Sequence, residues 1–143
     1  MIRWELKAVK DFLFADQSAN SAHALVGGRV YMPAAPDDAT FPYIVWVPQG
    51  AARESEYMGG NGSFAGAIVA YALRFVVWSE SKYDPAEAIR ILDRVKARLD
   101  WARITNPAGA MFIEMQPENQ FGPEPMDDRM MIAQDYTYRV ETV

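Results

Sequence analysis

The chain has 143 residues, half of them hydrophobic and 23% charged. That is the length of a single domain able to bury its own core, and the balance of an ordinary globular protein. A net charge of −5 argues against a sequence-independent grip on nucleic acid, which rests on neutralising phosphates. The lack of cysteine removes disulfides, thiolate nucleophiles and cysteine-ligated metals.

The opening "MIRWELKAVKDFLF" carries charges where a secretion signal needs an unbroken apolar run, which predicts a soluble protein, cytosolic at synthesis. Within it Ile2, Leu6, Val9 and Leu13 recur at helical spacing, with Arg3, Lys7, Lys10 and Asp11 off the stripe. A surface helix is expected. A shorter helix is expected over 18–26, ended by Gly27 and Gly28, since glycine closes helices in the left-handed conformation.

"RVYM" and "FPYIVWVPQ" read as strands, rich in β-branched and aromatic residues and bounded by proline. Ala51 to Gly66, "AARESEYMGGNGSFAG", is charged and then glycine-rich, and reads as a long loop. In "AIVAYALRFVVWSES" Val69, Tyr71, Leu73, Phe75 and Val77 share one face, with Arg74 and Trp78 on the other, so this strand is expected at the centre of the sheet. "DPAEAIRILDRVKARLD" then begins a helix with Asp84 as cap and Pro85 in its first turn. Ala88, Ile91, Leu92, Val95 and Leu99 form its buried stripe, and Arg90, Arg94 and Arg98 recur on another side. "AMFIEMQ" and "MMIAQDYTYRVETV" supply two closing strands, with "PENQFGPEPMDDR" as the loop between them.

The expected fold is therefore one α+β domain over residues 1–143: a mostly antiparallel sheet of about five strands, with the N-terminal helix and one long capped helix on one face.

Chemistry is thinly signalled. Gly60, Gly62 and Gly66 are spaced wrongly for a dinucleotide fingerprint, and no phosphate-loop lysine follows them. His23 is the single histidine and lacks partners for a metal pair or a triad. The acid pairs Asp37/Asp38 and Asp127/Asp128 sit among prolines without calcium-loop spacing, and read as solvated turns. Trp46, Trp78 and Tyr71 read as packing residues. No catalytic residue, cofactor or metal is expected.

The order of these phrases, "ALVGGRVY", "PAAPDDATFPYIVW", "FVVWSES", the capped helix and "DYTYRVETV", resembles the tail completion or tail terminator family of long-tailed phages, prophages and gene transfer agents. The resemblance covers nearly the whole chain. It implies a virion structural protein, assembled in the host cytoplasm, that forms a ring, usually a hexamer. Such a ring caps the tail tube, ends its polymerisation and offers a surface to the head connector. The implied partners are further copies of the chain, the tail tube protein and a head-tail connector. DNA would pass through the ring without specific binding, and no membrane is involved. Arg53, Glu54, Glu56, Tyr57, Arg90, Arg94 and Arg98 are then candidates for subunit or tube contacts, and Asp37 and Asp38 for a partner-facing loop. The alternatives are a head-tail connector or stopper from the same kind of particle, or a small ligand-binding α+β domain.

Overall fold

The computed structural model describes residues 4–58, 64–105 and 112–142. In chain order its helices are α1 (Trp4–Ala15), α2 (Ala22–Val26) and α3 (Ala86–Leu99). Its strands are β1 (Val30–Tyr31), β2 (Tyr43–Met58), β3 (Phe64–Ser79), β4 (Arg103–Thr105), β5 (Phe112–Met126) and β6 (Arg129–Thr142). The fold is α+β, with the sheet curled into a half-barrel. Strand order is β1-β2-β3-β6-β5-β4, and every pairing is antiparallel except that of β1 with β2.

Three expectations are corrected by backbone pairing. The sheet has six strands rather than five, because β4 adds three residues, too few to show a period in the sequence. The loop expected over 51–66 is largely strand: β2 continues to Met58 and β3 begins at Phe64, paired from Tyr43↔Trp78 to Met58↔Phe64 with three register shifts on the way. The glycine-rich tip at 59–63 lies outside the described residues. The loop expected over 117–129 is likewise strand to Met126, absorbing its prolines by register shifts between Pro117 and Gln120 and between Phe121 and Glu124. A fourth, smaller difference is that the second helix begins at Ala22, where the Ser21 hydroxyl accepts the Ala24 amide. It ends as expected on Gly27 in the left-handed conformation.

All three helices pack on one face of the sheet. Alternation decides which residues meet them: Leu73, Phe75 and Val77 of β3, and Ile132, Tyr136, Tyr138 and Val140 of β6, are buried against the helical stripes. From α3 come Ala88, Ile91, Leu92, Val95 and Leu99, each at most 1% exposed, as the spacing predicts. Burying each large aliphatic of this kind contributes about 1.5–3 kcal/mol. At the helix start the Asp84 carboxylate accepts the Ala86 amide (2.9 Å), and Pro85 is already helical, with its carbonyl accepting from Ile89.

The outer edges of the sheet carry prolines where an amide would otherwise project. Ile44 points its N–H outward to the Arg29 carbonyl, so Pro48, two pairs of residues further on, lies in the same phase. On β5, Met115 bonds outward to Ala102 and Trp101; Pro117 shares its phase, and Pro125, opposite Met130, returns to it after the two register shifts. Proline is tolerated there because its missing donor faces away from the ladder.

Candidate partner-binding surfaces

Two surfaces collect the chemistry-bearing side chains. The first lies where α3 meets the α1–α2 connection. Arg90 donates to the Asn20 side chain (2.9 Å), and Arg98 donates to the Phe12 carbonyl (3.0 Å) with its guanidinium 4.2 Å from the Phe12 ring centre. Arg94, exposed between them, lines a hollow of about 250 Å³ with Asp16, Ser18 and Asn20. Asp16 is held below the ordinary carboxylate range by hydrogen bonds from Ser18, first its amide and then its hydroxyl, with Arg98 and Arg94 adding attraction. The arginine row is thus real, but two of its three members also tie the molecule together.

A second polar group runs under α3. The Tyr136 hydroxyl donates to the Asp100 carboxylate, while Lys96 stands 3.5 Å from Asp100 and donates to the fully buried Gln134 (3.1 Å). The Gln134 amide in turn donates to the Asp135 carbonyl (2.9 Å). A buried amide needs such partners, since leaving it bare costs about 1–3 kcal/mol. Among the described residues Ser79 Oγ is the buried polar atom left without one.

The second surface is on the far face of the sheet. The segment from Met32 to Pro42 folds over it, bent by a turn in which the Ala39 amide donates to the Pro36 carbonyl and Asp37 and Asp38 lie exposed at the centre. Arg29 ties the returning end by donating to the carbonyls of Pro42 (3.1 Å) and Phe41 (3.4 Å). Beneath the segment lies a cleft of about 370 Å³, floored by Tyr43, Val45, Val47, Val76 and Trp78, with Asp37 and Arg129 at its rim. Further along this face Arg74 makes a bidentate ion pair with Asp135 (2.6 and 3.0 Å).

Arg53, Glu54, Glu56 and Tyr57 belong to β2 rather than to a loop: Arg53 pairs with Val69, Glu56 with Ala67, Tyr57 with Gly66, and Glu54 falls at a register shift. His23 packs edge-on against Phe14, with ring centres 5.2 Å apart. Among the described residues there is no group of three His, Asp or Glu able to hold a metal, and no helix long and apolar enough to cross a membrane. Sequence reasoning missed Arg129, whose place after two aspartates reads as turn chemistry. What would have drawn attention to it is the cluster of Phe41, Tyr43 and Trp78, from the segment before β2 and from two strands, which is not contiguous in sequence.

This is an α+β protein whose polar side chains chiefly hold its own elements together, leaving a basic row and a cleft to meet something else. It belongs to the family described as tail completion protein gp17, whose sequence profile matches residues 13–122. Among solved structures it is similar in fold to a chain from "Virion of native gene transfer agent (GTA) particle", at 22% identity and a TM-score of 0.73, over 94% of this chain and 92% of that one. No curated protein sequence matches it.

Proposed function

We propose that the chain is the protomer of a ring, six copies around, that caps the tail tube of a phage-like particle, ends tube polymerisation and joins tail to head. Membership of the tail completion family carries this reading. The fold likeness to a chain of a gene transfer agent virion supports it, and supports a structural rather than an enzymatic role. The two edges of the sheet are unlike, one formed by β1 and β2 and the other by β4 and β5, as a head-to-tail joint between identical copies requires. An overall charge of −5 suits a conduit that DNA must traverse without sticking.

Within this reading Arg90 and Arg94 contribute to the joint between copies, and Arg53, Glu54, Glu56 and Tyr57 of the β2–β3 ribbon contact a neighbouring subunit or the tube. Arg98, spent on Phe12, positions α1 instead. Asp37 and Asp38 face the connector.

The test is to add purified protein to polymerising tail tube protein, measuring tube length by electron microscopy and complex mass by light scattering. Tubes of bounded length ending in a ring of six are expected. Unaltered tube growth, with the protein still monomeric beside the tube protein, overturns the proposal. Capture by portal-proximal proteins without capture by the tube would instead assign it to the connector.

A further inference from the structure

We propose that Trp101 is the anchor by which one copy of this chain holds the next, its indole entering the cleft on the far face of a second copy. This rests on the head-to-tail joint proposed above and names the contact that makes it.

Trp101 stands in a backbone conformation that its side chain makes costly. Its φ is 61°, in the left-handed region, directly after the Asp100 that ends α3. Helices commonly end there on glycine, as α2 does on Gly27, because a side chain at positive φ crowds the neighbouring carbonyl. The conformation is locked from both sides. The Trp101 amide donates to the Met115 carbonyl (2.8 Å), the Ala102 amide to the Leu99 carbonyl (3.0 Å) and the Met115 amide to the Ala102 carbonyl (2.9 Å). Among the described residues the other non-glycine at positive φ is Asp127, a type that tolerates it. The indole gives the fold little in return, being 61% exposed. Strain of this kind collects where function needs the residue, and a large exposed aromatic is the commonest anchor of a protein interface.

The second copy is the occupant because the same chain carries a matching hollow that its own Trp101 cannot reach. Trp101 leads into β4 at one edge of the sheet, whereas the cleft lies over β2 and β3 beside the other, with β6 and β5 between. A knob at one edge and a hollow at the other is a heterologous contact, which builds rings or fibres from identical copies. The rim of the cleft carries both Asp37 and Arg129, so a charged group of either sign would meet a like charge, while a neutral ring with a single N–H donor meets none. Asp37 supplies the acceptor for that N–H, and a carboxylate with about four acceptor positions keeps others for the connector-facing turn. The Arg129 guanidinium, already stacked at 5.1 Å from the Phe41 ring centre and 5.5 Å from that of Trp78 and donating to the Tyr43 hydroxyl (3.1 Å), suits the face of a further ring. Val45, Val47 and Val76 give the apolar floor, in a cleft of about 370 Å³.

Two variants test this, each sparing the other half of the contact: Trp101→Ala removes the knob, and Val76→Glu puts a charge on the cleft floor. Sedimentation velocity is run on the unaltered chain, on each variant and on their mixture, with and without tail tube protein. The unaltered chain should assemble, and each variant alone should associate at least about tenfold more weakly. The mixture should give a one-to-one dimer that grows no further, since the pair holds one intact knob and one intact hollow, already joined. Trp101→Gly should leave the urea midpoint unchanged or raised, at a dilution where the unaltered chain is monomeric. The proposal is overturned if Trp101→Ala assembles as the unaltered chain does, if the two variants fail to pair, or if Trp101→Gly lowers the midpoint markedly, since the indole then serves the fold itself. Rings that survive Trp101→Ala remove this contact and leave the ring reading standing; open chains that need Trp101 do the reverse; a chain that never associates removes both. Should Val76→Glu not fold, the two Trp101 variants still decide.

Discussion

Gly122, at φ 81° in the second irregular stretch of β5, has no room for a side chain: an added Cβ would stand 2.7 Å from the Met131 carbonyl oxygen and 3.0 Å from the Glu124 amide nitrogen. Both neighbours are backbone and cannot swing away. Gly122→Ala should cost about 2–3 kcal/mol, combining left-handed strain with displacement of β6, and lower the urea midpoint without changing the slope. Tyr136 makes a different kind of demand. Burial first, then its hydrogen bond to Asp100 and that carboxylate's charge, raise its hydroxyl far above the ordinary value of 10.0. The unfolded chain releases this proton near pH 10 and the folded one keeps it, so the contribution is fully present below pH 10 and lost as pH rises beyond. Tyr136→Phe should therefore flatten the alkaline fall in stability, by up to about 1.4 kcal/mol per pH unit, in denaturation measured between pH 10 and 12.

At the scale of elements, the prolines of β5 matter for what they withhold. Replacing Pro117 and Pro125 together by threonine supplies two outward N–H donors to a sheet edge that offers none there. Such a variant should keep its fold and associate with itself faster, as followed by light scattering against time at matched concentration. These same prolines explain why part of the fold was illegible in the sequence. α3 and the core half of β3 were readable because their apolar stripes and the Asp84 cap are local signals, and the burial of Leu99 and Val77 follows from spacing alone. The outer half of β2 was not, because "ARESEY" has neither period nor apolar face, and its strand conformation comes from pairing with β3 and not from its own preferences. "PENQFGPEPM" misled for the converse reason: its turn residues sit at bulges and outward edge positions, where a strand tolerates them. Of the candidate surfaces, Asp37 was legible as an exposed turn acid, whereas the surroundings of Arg129 come from Phe41, Tyr43 and Trp78, residues that tertiary structure brings together.

For the whole molecule, the proposed joint can be separated from the fold. Arg90 and Arg94 are exposed, and Arg90 donates its hydrogen bond to Asn20, itself exposed, so Arg90→Glu with Arg94→Glu should shift monomer stability by no more than about 1 kcal/mol. If the row joins copies, the double variant will leave the circular dichroism spectrum unchanged and fail to yield rings on tail tubes. A further consequence follows from the lengths of the parts. β2 and β3 each run 16 residues, about 53 Å at strand rise, whereas the 14 residues of α3 span about 21 Å. The ribbon thus outreaches the helix by roughly 30 Å, and β2 slips its register against β3 at three places, while β3 and β6 stay in step throughout. Regularity is divided within one sheet, with an unbroken ladder between β3 and β6 and a bulged margin on the β2 side. In the proposed ring each joint must absorb its share of angular error, and the bulged margin is where a copy would bend to do so without disturbing the core behind it.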